Sequence, residues 1–470
     1  MQLRRLHCSP DLHLDLDAIR LEFELPGPFT ADAQAEAAAL ALLPAERLDA
    51  TDLALVTIDP AGSRDLDQAV AVEAHGSGWR VRYAIADVGA WVAPGGAIDR
   101  DARARTQTYY APDRRTPLHP PSLGEQAGSL LPDGDRPAVL WTIDVDDAGE
   151  TTAIDVARAT VRSRAQLTYA EVQAAVDEGA AIAPLAPLEG LGTTLLAAAA
   201  ARGAIELGLP EQDVVADDAG SWTVELRADL PVEHWNAQIS LLTGRAAATL
   251  MLDAGFGLLR TVPTADDETV ARMRAAAADL QITWAPNEPA GAALRRLDMA
   301  VPRHAAFAEL ATELLRGASY TPLRGQPPAD PGHAGVGAPY AHVTAPLRRL
   351  VDRFGTEACL AAAAGRALPT WVDEALDGLP DAMAEGDRRG RKFERAVVDA
   401  TEALVLADRV GDTFPATVVQ TGERRGTVVL EEPAVRARCD TSDLPLGEPI
   451  WVRCTEADVA ERSVRFERTS

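Results

Sequence analysis

Short apolar runs, bounded by turn residues, dominate the chain from about residue 51 to residue 165. Runs of four to eight apolar or β-branched residues predict strands, and a glycine-rich segment such as HGSG at 75–78 predicts a hairpin turn. The predicted strands are LALVTI, AVAVE, WRVRYAIA and AVLWTIDVD, followed by a strand or strand pair in TTAIDVARATVRSRA. This part of the chain is therefore predicted to form a sheet.

The following region changes to helical spacing, with apolar residues three and four positions apart and a Gly or Pro near an end of each segment. The predicted helices are LTYAEVQAAVDEG, LEGLGTTLLAAAAARGAIELG, NAQISLLTGRAAATLMLDAG and ADDETVARMRAAAADL. A longer helix is predicted over residues 372–410, interrupted near Gly386 and Gly390. Pro and Gly crowd residues 322–339, which predicts an irregular loop. The fold class is α+β, with a mixed sheet and helices.

The two ends of the chain differ from this central region. Residues 1–50 are predicted to form an arm with a helix in TADAQAEAAALALL. Near the other end, five short β-rich runs follow one another: ATVVQTGE, RGTVVLEE, VRARCD, PIWVRCTEAD and RSVRFER. Five strands in roughly 55 residues predict a small all-β OB barrel, which either binds single-stranded nucleic acid or serves as a packing module. The expected division is an arm at 1–50, a main domain at 51–410 and a barrel at 411–470.

The net charge of −26 opposes nucleic-acid binding unless positive charge is concentrated in a groove. Lys392 is the only lysine, and arginine suits bidentate contacts to phosphate. The same composition also follows from a biased genome, so overall charge does not decide the partner. The densest basic cluster, Arg388, Arg389, Arg391, Lys392 and Arg395, is either a solvated helix face or one wall of a channel for a nucleic-acid backbone.

Compartment and cysteine usage narrow the class of protein. No stretch of about 18 uncharged apolar residues predicts a membrane helix, and the first residues make a poor signal peptide. We therefore expect a cytoplasmic protein without membrane contact. The cysteines, Cys8, Cys359, Cys439 and Cys454, lie far apart without a CxxC pair, which predicts buried thiols rather than a zinc site or disulfides.

Three carboxylates, Asp59, Asp65 and Asp67, surround a Pro/Gly/Ser loop between two predicted strands. A loop that folds back can bring them to one point, where they would provide the oxygen ligands that Mg²⁺ requires. Without a cation they would repel one another and raise one another's pKa. The spacing alone is equally compatible with a solvated acidic turn.

The segment TIDPAGSRDLDQA resembles the signature of the ribonuclease II (RNB) family, and further motifs follow in that family's order. They are YAIADVGAWV, TQTYYAPDRRTPLHPPSLGEQAGSLLPDGDRPAV, NAQISLLTGRAAA, YAHVTAPLRRLVD and FERAVVD. The tail resembles the family's S1-type OB domain. The resemblance implies a 3′→5′ exoribonuclease that degrades single-stranded RNA to nucleoside 5′-monophosphates with Mg²⁺ or Mn²⁺. We also expect a monomer.

The resemblance also implies roles for individual residues. Asp59 and Asp65 would bind metal, and Asp67 would be the carboxylate most critical to the chemistry. Gln68 stands where the family has a fourth aspartate and offers an uncharged carbonyl oxygen. Arg348 would contact phosphate, and Glu394 would lie near the active centre. The residues expected to contact RNA are Tyr110, Trp222, Arg349, Arg388, Arg389, Arg391 and Lys392, whereas His342 would either bind a phosphate or be a hydrogen-bonded core histidine.

Departures from the family pattern keep alternatives open. Gln68 removes one negative charge, and Asn236 and Ala237 stand where many members carry acidic residues. The sequence has no room for two N-terminal cold-shock domains, so we expect a wider entrance that admits partly duplexed RNA. The competing hypotheses are a catalytically impaired RNA-binding protein of the same fold and an unrelated metallohydrolase acting on small phosphoesters.

Overall fold

The computed structural model describes residues 14–216 and 222–469. The helices are α1 (Leu16–Glu22), α2 (Ala31–Ala38), α3 (Ala97–Arg105), α4 (Tyr169–Asp177), α5 (Leu188–Ala201), α6 (Pro231–Ala254), α7 (Asp267–Asp279), α8 (Ala290–Leu294), α9 (Pro302–Ala311), α10 (Leu350–Ala363), α11 (Thr370–Asp373) and α12 (Leu379–Leu406). The strands are β1 (Leu48–Asp59), β2 (Gln68–His75), β3 (Gly78–Ala86), β4 (Asp135–Val145), β5 (Thr151–Thr168), β6 (Glu211–Ala216), β7 (Trp222–Arg227), β8 (Phe256–Thr261), β9 (Ser319–Arg324), β10 (Gly332–His333), β11 (Ala338–Pro339), β12 (Thr413–Gln420), β13 (Gly426–Val429), β14 (Arg436–Cys439), β15 (Pro449–Asp458) and β16 (Ser463–Arg468).

The predicted sheet is a closed barrel of β1 to β5. Neighbouring strands from β1 to β5 pair antiparallel, and β1 closes the barrel by pairing parallel with β5, from Leu48 opposite Ala159 to Asp59 opposite Thr168. The prediction of a strand or strand pair in 151–165 resolves as one 18-residue strand. Hairpin spacing cannot reveal a parallel closure between segments about a hundred residues apart, because the pairing is set by tertiary contacts.

Alternate residues of the barrel strands face two separate cores. Tyr83, Ile85 and Trp141 are fully buried in a core that also receives α5, α6 and α10, while Ala84 and Leu140 face a second core with the arm. This alternation is the period-2 pattern of strands buried on both sides. The arm contains α1, which was not predicted, in addition to the predicted Ala-rich helix α2.

Helix α12 is continuous through Gly386 and Gly390, so the predicted interruption is wrong. A Cβ at Gly386 would lie 2.0 Å from Thr106 Oγ1, and one at Gly390 would lie 2.6 Å from Gln107 Nε2. The glycines therefore allow the helix to approach the segment at 106–109 closely, and the surrounding packing offsets their low helix propensity.

The predicted C-terminal barrel is confirmed, with β12 to β16 closing in the order β12-β13-β14-β16-β15. Its core includes Phe414 and Phe466 together with the buried thiols of Cys439 and Cys454. Cys359 is buried and free as well, whereas Cys8 lies outside the described residues. Across residues 14–216 and 222–469, no helix combines the length and apolarity that a membrane crossing needs.

Helix α12 joins this barrel to the rest of the molecule through Glu402, which is 2% exposed. Its Oε1 accepts hydrogen bonds from Arg436 N (2.7 Å) and Gln212 Nε2 (2.8 Å). Burial raises the pKa of Glu402 to about 7, although these two donors and Arg395 oppose the shift. The carboxyl therefore takes up a proton more readily in the folded protein than in the unfolded chain.

We expect Glu402→Gln to remove a pH dependence of stability. Because the folded-state pKa is raised, Glu402 lowers the stability progressively as the pH rises from about 4.5 to about 7, by about 3 kcal/mol in total. Glutamine keeps an acceptor for both donors and has no charge to bury. In urea denaturation, the free energy of unfolding should fall less between about pH 5 and about pH 8 for the variant than for the wild type. An equal fall in both proteins would show that Glu402 does not cause the pH dependence.

Candidate functional site

The three predicted aspartates lie at one end of the first barrel. Asp59 is the last residue of β1, and a loop at 60–67 returns the chain to β2. Gly62 adopts a φ of 82°, which suits glycine in this turn. Ser129 fixes the loop, since its Oγ accepts a hydrogen bond from Leu66 N (2.9 Å) and donates one to Arg64 O (2.6 Å).

Asp67 is the most enclosed of the three, at 3% exposure. Its Oδ1 accepts a hydrogen bond from Leu347 N at 2.7 Å, and Arg348 Nε lies 3.4 Å from Oδ2. Burial raises the pKa of Asp67 well above its ordinary value, and the charges of Asp352 and Asp65 add to this effect. Arg348 and the Leu347 hydrogen bond act in the opposite direction. The segment containing Arg348, 280 residues away along the chain, therefore completes the surroundings of Asp67.

Asp59 carries an unsatisfied oxygen. Its Oδ2 is buried without a hydrogen-bond partner in the described part of the chain. Burial raises the pKa of Asp59 to about 6; Asp65 adds to the shift and Arg348 opposes it. A buried carboxylate oxygen without a donor costs free energy unless a proton or a cation satisfies it.

Asp65 forms an ion pair with Arg115, and Tyr110 Oη lies 3.4 Å from its Oδ2. Arg115 also contacts Glu125, at 3.1 Å. The structure thus brings Tyr110, 44% exposed, to the edge of the aspartate cluster, where its ring is accessible. The sequence prediction missed Arg115, although it lies in the quoted segment TQTYYAPDRRTPLHPP, because nothing in the local pattern pairs it with Asp65.

Gln68 supports the site through its amide group. Its Nε2 donates a hydrogen bond to the main-chain carbonyl of Thr344, at the start of the segment that contains Arg348. A carboxylate could not donate this bond. The segment is held from the other side by Thr108 N, which donates to Arg348 O (2.9 Å), and by Leu350 N, which donates to Thr106 O (2.9 Å).

The two neighbouring arginines have different surroundings. Arg349 forms a two-point ion pair with Asp352, with N–O distances of 2.5 and 2.7 Å, and Asp352 is completely buried. The side chain of Arg348 is 51% exposed and faces the carboxylate of Asp67. Arg349 is therefore engaged in holding the start of α10, and Arg348 is the one placed to meet a ligand.

His342 belongs to a hydrogen-bonded aromatic group. Its Nδ1 lies 2.8 Å from Tyr320 Oη, and its ring packs edge-on against Tyr320 and Tyr340. Burial, with Arg349 and Arg260 adding, lowers its pKa well below the ordinary value. This geometry favours the hydrogen-bonded core histidine over the phosphate ligand.

The remaining predicted residues lie on several elements. Glu394 is exposed on α12, one turn after Gly390, which approaches Gln107 and Tyr109. Burial raises the pKa of Glu394, with Asp387 adding to the shift and Arg391 opposing it. Trp222 begins β7, in a hairpin whose Val224 carbonyl accepts a hydrogen bond from Ala434 N of the C-terminal barrel. Arg388, Arg391 and Lys392 line a groove between α12 and α1, whereas Arg389 is outside that lining and lies 3.7 Å from Glu385.

The aspartate cluster fits a hard cation in an open site. Within the described ranges, no group of three or more carboxylate, imidazole or thiol side chains is arranged to hold a metal ion, so the three aspartates do not form a ready-made ligand set. Mg²⁺ is commonly held by one or two carboxylates, with water and substrate phosphate completing the octahedron. The unsatisfied Asp59 Oδ2 and the enclosed Asp67 provide that kind of donor set.

Comparison with protein-family models matches residues 47–355 to the RNB domain and residues 412–469 to the RNase II-type exonuclease C-terminal S1 domain. Ribonuclease R of Aquifex aeolicus is 26% identical over 470 aligned residues, which cover 90% of this chain. The chain spans 64% of that protein's length, less than two thirds of this curated relative.

Two solved structures share the fold. RNase R of Mycoplasma genitalium in complex with ribose-methylated single-stranded RNA aligns with a TM-score of 0.87 and 20% identity, over 97% of this chain and 78% of that one. Yeast Ssd1, described as a pseudonuclease, aligns with a TM-score of 0.70 and 16% identity, over 93% of this chain and 56% of that one. The fold alone is therefore compatible with both active and inactive relatives.

Proposed function

This chain belongs to the RNB family, with an RNase II-type C-terminal S1 domain, and we propose that it is a hydrolytic 3′→5′ exoribonuclease acting on single-stranded RNA. The observation that carries the proposal is the enclosure of Asp67 beside Arg348, whose Nε lies 3.4 Å from Asp67 Oδ2. A carboxylate and an exposed guanidinium at one point match the needs of phosphodiester hydrolysis, which builds negative charge on the phosphoryl oxygens.

Each residue around the aspartate cluster has a separate proposed role. Arg348 donates to a non-bridging phosphoryl oxygen and neutralises charge as it develops. Tyr110 offers an exposed ring on which the 3′-terminal base stacks without regard to sequence. Gln68 holds Thr344 and thereby the position of Arg348 relative to Asp67. Each cycle then releases a nucleoside 5′-monophosphate and leaves a new 3′ end for the next.

Mg²⁺, or Mn²⁺ in its place, is the proposed cofactor. The carboxylates of Asp59 and Asp67 would hold it, with Asp65 contributing once it leaves Arg115, and Gln68 Oε1 is an uncharged candidate. A bound divalent cation lowers the pKa of water and stabilises the leaving oxygen. For the chain itself, a bound cation would compensate the charge of Asp59, whose pKa is raised mainly by burial and secondarily by the nearby charge of Asp65.

Gln68 and the pseudonuclease neighbour support a second candidate, an RNA-binding protein of the same fold with an impaired catalytic centre. With Gln68 in place of a fourth carboxylate, the site carries one negative charge fewer. The three aspartates and Arg348 are nevertheless retained and lie together, which favours the enzyme. The third hypothesis, a hydrolase of small phosphoesters, has no support from the family match.

The experiment that tests the proposal uses 5′-labelled single-stranded RNA with Mg²⁺, with Mn²⁺ and with a chelator. We expect a ladder that shortens from the 3′ end with either cation and intact RNA with the chelator. Intact RNA in every lane together with a gel shift would contradict the enzyme and favour the impaired RNA-binding protein.

A further inference from the structure

The loop at residues 110–115, which we call the tyrosine loop, connects the aspartate cluster to the N-terminal arm. Its two ends are joined by main-chain hydrogen bonds of 2.7 and 3.0 Å between the flanking residues. Tyr110 and Arg115, its first and last residues, both contact Asp65. The position of the tyrosine loop therefore decides where the Tyr110 ring and the Arg115 guanidinium lie in the candidate site.

Arg20 of α1 binds the middle of the tyrosine loop. Its Nη1 donates to Asp113 Oδ2 (3.0 Å), its Nη2 donates to Asp113 Oδ1, and Nη2 also donates to the main-chain carbonyl of Arg114 (3.1 Å). The Arg20 side chain is 8% exposed. Across residues 14–216 and 222–469, no other arginine or lysine forms an ion pair with Asp113. Because the contact has two points, it fixes the direction of the loop as well as its distance from α1.

The charges of this contact persist despite burial. Burial disfavours the ionised form of Asp113, but the hydrogen bonds and the charge of Arg20 hold the pKa of that carboxyl below its ordinary value. Asp17, also on α1, accepts from Arg20 at 2.8 Å and pairs with Arg114 at 2.5 Å. Alternating charges on the helix and on the tyrosine loop therefore link the two.

Helix α1 provides a firm support for the tyrosine loop. Leu16 and Ile19, each 5% exposed, pack with Phe393 and Val397 of α12, and Ala111 of the loop joins the same apolar cluster. α12 has 28 residues and buries much of its length. The place of α1 is therefore set mainly by α12, so α1 can hold the loop rather than follow it.

We propose that Arg20 is a positioning residue of the candidate site, which holds the tyrosine loop through Asp113 so that the Tyr110 ring stacks on the 3′-terminal base of RNA. The choice of a nucleotide base as the ligand of Tyr110 rests on the proposed function. In the described residues Arg20 contacts α1 and the tyrosine loop but not the aspartate cluster, so it acts through the loop. Stacking needs a ring held in one place and plane, because a displaced ring loses contact with the base.

The test compares Arg20→Gln with the matched control Glu22→Gln. Glu22 lies on the same helix, but its ion pair with Arg462, at 2.7 Å, leads to the C-terminal barrel instead of the tyrosine loop. All proteins carry Asp67→Asn, so that the RNA stays intact. The probe is a short single-stranded RNA with 2-aminopurine as its 3′-terminal base. Stacking on an aromatic ring quenches its fluorescence, and a titration gives the affinity.

We expect full quenching in the parent protein and in the Glu22→Gln control. Arg20→Gln should lose most of the quenching and bind roughly 5- to 100-fold more weakly, the range for one stacked base. Tyr110→Ala should show the same loss. Adding Arg20→Gln to Tyr110→Ala should then change little, because both substitutions remove the same stacked base. Arg20→Lys should recover part of the quenching, since lysine keeps the charge but not the two-point contact.

Asp113→Asn tests the same contact from the side of the loop. Asparagine keeps the shape of the side chain, and the Asp113 side chain is 33% exposed, so this variant is expected to fold even if Arg20→Gln does not. We expect a partial loss of quenching. Amide hydrogen exchange should become faster in the tyrosine loop and α1 and stay unchanged in the barrel strands, which separates a loosened loop from a destabilised fold.

Unchanged quenching in folded Asp113→Asn overturns the inference, and so does a loss in Arg20→Gln that adds in full to the loss in Tyr110→Ala. If Tyr110→Ala itself leaves the quenching unchanged, Tyr110 is not the stacking ring and the inference fails with that role. A failure of the proposed hydrolysis is a separate result, because stacking is measured without turnover. A protein that cleaves no RNA but loses quenching in Arg20→Gln would keep this inference and refute the enzyme.

Discussion

Replacing Asp67 with asparagine is expected to reduce RNA hydrolysis by roughly 10³-fold or more while the protein stays folded. Asparagine has the shape of aspartate and keeps an Oδ1 acceptor for Leu347 N, so the segment that contains Arg348 stays attached. The charge that would hold a cation and balance Arg348 is lost. Burial and the charges of Asp352 and Asp65 disfavour a negative charge at Asp67, so the neutral asparagine is compatible with the folded protein.

The measurement is the single-turnover rate on 5′-labelled RNA, with the thermal midpoint and RNA affinity of the same preparation. Asp267→Asn is the matched control, because Asp267 is an exposed carboxylate in the first turn of α7. The control should retain the wild-type rate. Wild-type turnover in Asp67→Asn would refute both the assignment of Asp67 and the proposed chemistry at this site.

Replacement of the adjacent residues Arg348 and Arg349 is expected to have different consequences, on activity for Arg348 and on stability for Arg349. Arg348→Ala is expected to lower kcat/KM by roughly 10²- to 10³-fold with little change in stability, because Arg348 is half-exposed and acts on developing charge. Arg349→Ala is expected to destabilise the fold by about 3–5 kcal/mol, since it leaves the buried carboxylate of Asp352 without its partner. Loss of activity in the second variant would then follow loss of folded protein.

Rates on RNA and urea denaturation of both variants test this contrast. Arg348→Lys should recover part of the rate, because lysine keeps the charge but cannot bind a phosphate bidentately. The contrast fails if Arg348→Ala unfolds the protein, or if Arg349→Ala stays as stable as the wild type and loses only activity. Either result would reverse the assignment of the phosphate contact.

Apolar periodicity along the sequence predicted many of the helices and strands. The features that it did not predict depend on contacts between segments far apart in the chain. The strands of the C-terminal barrel and the helices α4 to α7 and α12 follow from apolar periodicity, which depends on near neighbours, whereas α8 to α11 were not predicted. The parallel pairing of β1 with β5 and the hairpin of β6 and β7 depend on contacts that no local pattern encodes. Gly386 and Gly390 predicted a break because glycine disfavours helices, but close packing on Thr106 and Gln107 requires them.

In the candidate site, too, some residues could be identified from the sequence and others only from the folded structure. Asp59, Asp65 and Asp67 could be singled out from spacing and resemblance, and the structure places them around one loop. Arg115, which pairs with Asp65, could not be identified, because the two residues lie 50 positions apart. From the sequence, Gln68 was interpreted as the replacement of a charged metal ligand by an uncharged one. The structure gives it a hydrogen bond to Thr344 O that the aspartate of the family pattern could not donate.

The hydrogen bond between Leu347 N and Asp67 joins positions 280 residues apart, which has a consequence for biosynthesis. Ribosomes add about 5–20 residues per second, so the aspartates emerge roughly 14–56 seconds before the segment that completes their site. During that interval Asp65 already has its partner Arg115, but Asp67 lacks the guanidinium of Arg348. The candidate site therefore cannot be completed on the growing chain until about three quarters of the 470 residues have been made.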